Sequence, residues 1–275
     1  MNTFKFPPLS FPNLKRLGLI GVFNPKKGCK TSTMVLLANQ FRDLRYDLSI
    51  WQHDRHGRFK PYGANNMIEL ALATDVFNGD SSANLQRHEG LTEELARLDT
   101  TPNRIIALDS SGPAAGMMAP IFNMGRYNRL LLKQECHGAL FVPFRLSLDV
   151  AEGALEMIKE LRPVMRDHFI VPVPIFKSSD LAYLDRKHPL FQIVGEAEHG
   201  VMCLPEISAV AASGLDRVHH PMSEIANPDN DDAIEIIRAA TGYGRLEAGA
   251  VASSAASLVA AVDRALAPVG FMPGA

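Results

Sequence analysis

Cysteine is scarce in this chain and poorly placed for chemistry: Cys29, Cys136 and Cys203 make up the whole complement in 275 residues, and no two form a C-x-x-C pair. That excludes a disulfide framework and argues against a cysteine-built zinc site. A positive excess is also missing. Lys and Arg number 28 against 30 Asp and Glu, a formal charge of −2, so contact with nucleic acid would have to come from a local patch. No uncharged apolar run reaches the roughly 18 residues that suggest a membrane span. Met1 to Pro12 lacks the apolar core and small-residue cleavage site of a signal peptide. These absences lead to the expectation of a cytoplasmic protein without integral membrane association. No G-x-S-x-G elbow is present, which disfavours a serine hydrolase. The scattered histidines include no pair at the spacing of a metal-binding helix, and His219-His220 reads as an exposed loop pair.

What remains is an ordinary globular composition, 47% hydrophobic and 21% charged, in a chain long enough to bury one large core. Leu17 to Phe23 is a short apolar run stopped by Asn24-Pro25, the pattern of a buried strand. From Thr31 to about Arg45 the apolar positions Met34, Val35, Leu37, Ala38, Phe41 and Leu44 recur at helical spacing. Further strands are expected at Asp47 to Gln52, Arg104 to Asp109, Leu140 to Pro143, Phe169 to Pro174 and Gly200 to Leu204. Helices are expected at Met67 to Thr74, Leu91 to Leu98, Leu148 to Leu161 and Ala248 to Ala267, and a loop at Asn78 to Ser82. This alternation predicts one α/β domain over residues 1–275, a doubly wound and mostly parallel sheet flanked by helices on both faces. Residues 1–14 would be an extension and 268–275 a frayed tail. Such a sheet holds its ligand at the carboxyl ends of the strands.

The chemistry-bearing run lies there: Asn24-Pro25-Lys26-Lys27-Gly28-Cys29-Lys30-Thr31-Ser32-Thr33, between the first strand and the first helix. A phosphate loop needs successive backbone N–H groups and a helix N-terminus aimed at the anion, a lysine to neutralise charge, and a hydroxyl for Mg²⁺. Two further strands end in polar tracts, Gln52-His53-Asp54-Arg55-His56-Gly57 and Asp109-Ser110-Ser111-Gly112-Pro113.

Across residues 17 to 225 these features resemble the ParA/MinD family of deviant Walker ATPases, whose loop reads N-x-K-G-G-x-G-K-[ST]-T. The resemblance implies ATP and Mg²⁺ as cofactors. Lys26 would be the signature lysine reaching the partner subunit's nucleotide, and Lys30 the loop lysine. Gly28, Cys29 and Ser32 would complete the cradle, with Thr31 on the metal. Asp54 would position the attacking water near the metal, and Asp109 would hold the metal's water shell. Pro205 and Glu206, in Leu204-Pro205-Glu206, would flank the adenine. The loop departs from the family pattern: Lys27 and Cys29 stand at glycine positions, the segment from Asn24 to Lys30 is one residue short, and Gln52 replaces the first acidic residue of D-x-D. By resemblance the chain is an ATP-dependent dimerisation switch with slow hydrolysis, a homodimer when nucleotide is bound. A partner protein would stimulate it in plasmid or chromosome partition, conjugation or cargo positioning. The alternatives are a pseudo-ATPase that keeps the fold without turnover and a small-molecule enzyme of the same superfamily. Arg162, Arg166, Lys177, Arg186 and Lys187 offer a possible non-specific DNA contact. The stretch Ala265 to Ala275 has no basic residue, unlike a membrane-docking amphipathic tail.

Overall fold

The computed structural model describes residues 5–69 and 81–271. In chain order the principal elements are β1 Leu17–Val22, α1 Lys30–Asp43, β2 Asp47–Gln52, β3 Ala64–Met67, α2 Ser81–Arg87, α3 Glu89–Leu95, β4 Arg104–Asp109, α4 Gly112–Ala115, α5 Met118–Met124 and α6 Tyr127–Lys133. They continue as β5 His137–Arg145, α7 Leu148–Val164, β6 Phe169–Phe176, α8 Pro189–Gly195, β7 Leu204–Pro205, α9 Ala209–Arg217, α10 Met222–Ile225, α11 Asp231–Thr241 and α12 Arg245–Leu266.

The strands form one seven-stranded sheet in the order β3-β2-β4-β1-β5-β6-β7, and every pairing is parallel. Parallel strands need crossovers, and helices supply them on both faces. The apolar strands sort their side chains by the period of two. Ile20, Val22, Ile105, Ala107, Val171 and Val173 join the core beneath α1 and α9 to α12, while Leu19, Phe23, Ile106, Leu108 and Ile170 join the core beneath α3 and α5 to α8. Both faces are therefore buried, which is why these strands read as continuous apolar runs.

Several expectations need correction. Met67, read as the start of a helix, instead ends β3, and residues 70–74 lie outside the described region. β3 is an edge strand paired only with β2 and composed of Ala-Asn-Asn-Met, so it lacks the apolar run that marks buried strands. Ser81 and Ser82 open α2 instead of closing a loop, with 78–80 outside the described residues. The last strand is Leu204–Pro205 alone, since Gly200, at φ 82, turns closely over the Pro8 carbonyl. Residues 268 to 271, expected to fray, close a 3-10 turn at Ala267–Val269 and bring Phe271 edge-on to Phe11 and Phe41; 272–275 lie outside the described residues.

Helix α12, with its terminal turn, is long and apolar enough to cross a bilayer by length and composition. Here its Ala248, Val251, Ala252, Ala255, Leu258 and Val262 face is buried against α1, α9, α10, α11 and β7.

At the amino edge of the sheet, His168 is 2% exposed. Its Nδ1 accepts from the Gly138 N–H at 3.2 Å and its Nε2 lies 3.2 Å from the Asn128 carbonyl. The neutral imidazole satisfies both contacts, whereas a second proton would face the Gly138 N–H. Burial accordingly pushes the His168 pKa down to about 4, with nearby His137 adding to the effect. Below its ordinary value of 6.5 the unfolded chain binds this proton and the native protein does not. Stability is thus expected to fall by about 2 kcal/mol as pH drops from 6.5 to 4. Denaturant unfolding of wild type and His168→Gln across that window checks this, the variant showing a shallower slope.

Candidate nucleotide site

The site grows from the turn between β1 and α1. Asn24 is fully buried; its Nδ2 donates to the Pro143 carbonyl at 2.8 Å and its Oδ1 accepts from the Lys26 N–H at 2.8 Å. These bonds tie the turn to β5. Gly28 is needed by close approach, because a Cβ there would stand 2.3 Å from the Pro143 carbonyl oxygen.

Cys29 caps α1 at φ 58 and ψ 34, left-handed despite its side chain. This is where the loop substitutes a cysteine for the glycine its geometry favours, at a cost of about 1 kcal/mol. Cys29→Gly is expected to raise the melting temperature by about 2 °C, measured calorimetrically; a decrease would mean that cysteine packing outweighs the backbone strain.

At the first turn of α1, Thr31 Oγ1 donates to Asp109 Oδ2 at 2.9 Å. The two meet because β4 is adjacent to β1 with Val22 level with Asp109. Asp109 is 2% exposed, and its Oδ1 is buried with no hydrogen-bond partner among the described residues. Burial lifts its pKa to about 7 against the opposing pull of the Thr31 bond, Lys30 and Arg58. Lys30 Nζ donates to the Lys26 carbonyl at 2.9 Å. Its pKa is lowered by burial despite the nearby carboxylates of Asp109 and Asp54. A desolvated lysine on a neutral carbonyl, beside a carboxylate with an orphaned oxygen, is a site with unmet electrostatic demand.

These groups open on a cavity of 630 Å³ lined by Lys27 to Ser32, Asp54 to Arg58, Ser110 to Gly112, Arg145, Asp216 and His219. Beside it lies an apolar recess of 180 Å³ against Ile175, Leu204, Pro205, Glu206, Ile207 and Leu215. Cys29, Ser32, Arg58, Arg145 and Asp216 line both.

Of the residues expected from sequence, Gly28, Cys29, Lys30, Thr31, Ser32 and Asp54 are gathered on the cavity, with Asp109 beneath it. Pro205 and Glu206 stand on the recess. Lys26 is exposed and does not line the cavity; its stem lies over α7, where a Cβ on Gly153 would stand 2.9 Å from Lys26 Cγ. Gln52, at the position of the missing acidic residue, accepts from the His56 N–H at 2.8 Å and donates to Asn65 at 3.0 Å, so it shapes the loop that carries Asp54.

Sequence reasoning missed Arg58, Arg145, Asp216 and His219. His219 was read as plain exposed loop; it is exposed, but its ring also walls the cavity against Gly57, where a Cβ would meet it at 2.6 Å. It missed the buried pair His53 and His88 as well, whose Nε2 atoms stand 3.1 Å apart. The proposed basic stretch is not one patch. Arg162 and Arg166 lie before β6 and Lys177, Arg186 and Lys187 after it, so the strand alone separates the groups by roughly 25 Å. Arg162 pairs with Glu196 and Glu198, and Arg166 with Asp167. No group of three or more potential metal ligands drawn from His, Cys, Asp and Glu occurs among the described residues.

A parallel sheet whose first strand turns over a helix N-terminus, with a first-turn threonine bonded to a carboxylate ending the neighbouring strand, is a doubly wound α/β fold with a candidate phosphate-binding turn at the carboxyl ends of its strands. Neither a family model nor a curated protein sequence matches the chain. Among solved structures it is similar in fold to the MinD cell division protein of Aquifex aeolicus, with a TM-score of 0.46 and 12% identity over 82% of this chain and 98% of that one. For apo McdA of Cyanthece the TM-score is 0.45 and the identity 10%, over 82% and 99%. For the MinC:MinD complex of Aquifex aeolicus they are 0.44 and 11%, over 82% and 97%.

Proposed function

We propose that this chain binds ATP with Mg²⁺ in the 630 Å³ cavity and works as a nucleotide-dependent dimerisation switch with slow hydrolysis, of the ParA/MinD kind. The observation that carries this reading is the Thr31–Asp109 bond beneath the N-terminus of α1, because it sets a hydroxyl and a buried carboxylate where a triphosphate–cation pair would bind. The orphaned Asp109 Oδ1 fits a cation: Thr31 and Asp109, with Asp54 nearby, would hold Mg²⁺ and its water shell. A bound magnesium ion supplies charge neutralisation for the phosphates. The backbone N–H groups from Gly28 to Ser32 would receive the phosphate oxygens, with Lys30 leaving the Lys26 carbonyl to pair with them. Pro205, Glu206 and Ile207 would take the base in the apolar recess.

Asp54 is exposed on the cavity wall and would orient the attacking water, since phosphoryl transfer asks mainly for positioning and electrostatic stabilisation. Lys26, free of the cavity, would reach the nucleotide of a second copy. Such a switch suits plasmid or chromosome partition, conjugation or cargo positioning, with a partner protein that stimulates turnover. The involvement of Gln52 in shaping its loop favours a second reading, a pseudo-ATPase that binds nucleotide and dimerises without turnover.

Phosphate release and sedimentation of wild type and Asp54→Asn with Mg²⁺–ATP test both. The switch reading expects slow turnover, lost by about 100-fold in Asp54→Asn, with the variant held as a dimer. Dimerisation of wild type without any phosphate release supports the pseudo-ATPase, and a protein that stays monomeric at saturating ATP sinks the switch.

A further inference from the structure

Arg58 is 7% exposed while its acidic partner Asp216 remains 67% exposed. A guanidinium offers five N–H donors in a planar fork, and burying them without acceptors is costly. Among the described residues only Nη1 is engaged, donating to Ser32 Oγ at 3.1 Å and Asp216 Oδ1 at 2.8 Å. The buried Nε has no partner among the described residues. Asp216 therefore holds a buried cation through one oxygen, where the fork could take a bidentate anion.

The location gives this incomplete pairing a meaning. Arg58, Ser32 and Asp216 belong to the wall shared by the polar cavity and the apolar recess. A ligand with phosphates at the N-terminus of α1 and a base against Pro205 must cross that wall where its sugar meets its first phosphate. We propose that Arg58 is a binding cation for the phosphate nearest the sugar of a nucleoside triphosphate, and that Asp216 is a reserve counter-ion which this phosphate displaces. The proposal rests on the nucleotide reading above and adds to it a residue and an exchange. Phosphate oxygens can receive Nη1 and Nη2 at the end of the fork, whereas the exposed Asp216 carboxylate loses little by returning to water.

The exchange has a conformational consequence. The Arg58–Asp216 pair and the His219 ring on Gly57 join the loop carrying Asp54 to α9 and the segment after it, and just beyond them the Met222 N–H donates to the Tyr62 hydroxyl. Releasing the first frees one side of that loop when nucleotide enters. Because ligand must compete with the ion pair, the fraction of protein ready to bind is reduced, and removing the competitor restores it.

Calorimetric titration of the full chain with Mg²⁺–ATP tests the exchange, using wild type, Asp216→Asn, Arg58→Lys and Lys30→Ala. Asp216→Asn is expected to bind about three- to tenfold more tightly than wild type; combined with Arg58→Lys the gain should be lost, whereas mere removal of a like charge from the cavity wall would keep it. Arg58→Lys, which keeps the charge and loses the fork, is expected to bind at least about tenfold more weakly. Asp216→Asn binding no more tightly than wild type overturns the proposal, as does Arg58→Lys binding equally well. If Arg58→Lys fails to fold by circular dichroism, the exposed Asp216 position decides alone. Binding that is lost in Lys30→Ala yet indifferent to both other substitutions defeats only the exchange; no binding by wild type defeats the nucleotide reading with it.

Discussion

Lys30→Ala is expected to weaken Mg²⁺–ATP binding by about 100-fold, about 2.8 kcal/mol at 1.4 kcal/mol per decade, while leaving the fold intact. The size follows from the environment. Lys30 is partly desolvated, and its charged form is disfavoured by burial more than the neighbouring carboxylates restore it. With its ammonium on a single neutral carbonyl, it has much to gain from a triphosphate, since charge-assisted hydrogen bonds are about twice as strong as neutral ones. Stability should barely change, because the Lys26 carbonyl that loses the ammonium still accepts from the Gly28 N–H at 2.8 Å. Titration with a fluorescent ATP analogue, alongside thermal unfolding, separates the two effects. Affinity that survives the substitution would move the phosphates away from this lysine.

Asp109→Asn is expected to act in opposite directions on function and stability. Without the carboxylate, Mg²⁺-dependent ATP affinity and turnover should each fall by about 100-fold. The ligand-free protein should gain about 1–2 kcal/mol at pH 8. The sign follows from the raised pKa of about 7: between the unfolded value near 3.8 and 7 the native protein holds a proton that the unfolded chain has released. Ligand-free stability therefore declines as pH rises through that window, and above 7 the whole penalty of a buried charge is present. Asparagine keeps an acceptor for Thr31 Oγ1 and removes the charge, so the gain should vanish near pH 4. Unfolding curves at pH 5 and pH 8 make the comparison, and equal stability of both proteins at both pH values would contradict it. A carboxylate that costs stability in the empty site and is repaid on ligand binding is a stability–activity trade-off.

The elements legible in the sequence were those buried along most of their length. β1, β2, β4 and β6 stand close to where their apolar runs begin and end, and α1 follows its helical spacing. β3 escaped because its polar residues meet one neighbour only. The short helices α4 to α6 escaped because each is seven residues or fewer, too short for periodicity to accumulate.

The same division runs through the site. Asp109 could be read because a carboxylate ending a buried strand is locally anomalous, and Lys30 because the turn and helix around it are local. Arg58 could not. An arginine in a polar loop ordinarily faces water, and what buries this one is a hydroxyl on α1 and a carboxylate 158 residues away on α9. His53 and His88, 35 residues apart, likewise meet only through tertiary packing. Cys29 was legible as a departure from the family's loop, and the left-handed backbone at that position gives the departure its physical form.

The central claim is that the turn from Asn24 to Thr33 receives nucleotide phosphates. It is tested most directly by a crystal structure grown with Mg²⁺ and a non-hydrolysable ATP analogue at saturating concentration. The account predicts triphosphate density at the N-terminus of α1, with Lys30 Nζ turned from the Lys26 carbonyl onto the phosphates. Lys30 still on that carbonyl and only solvent in the cavity would contradict it.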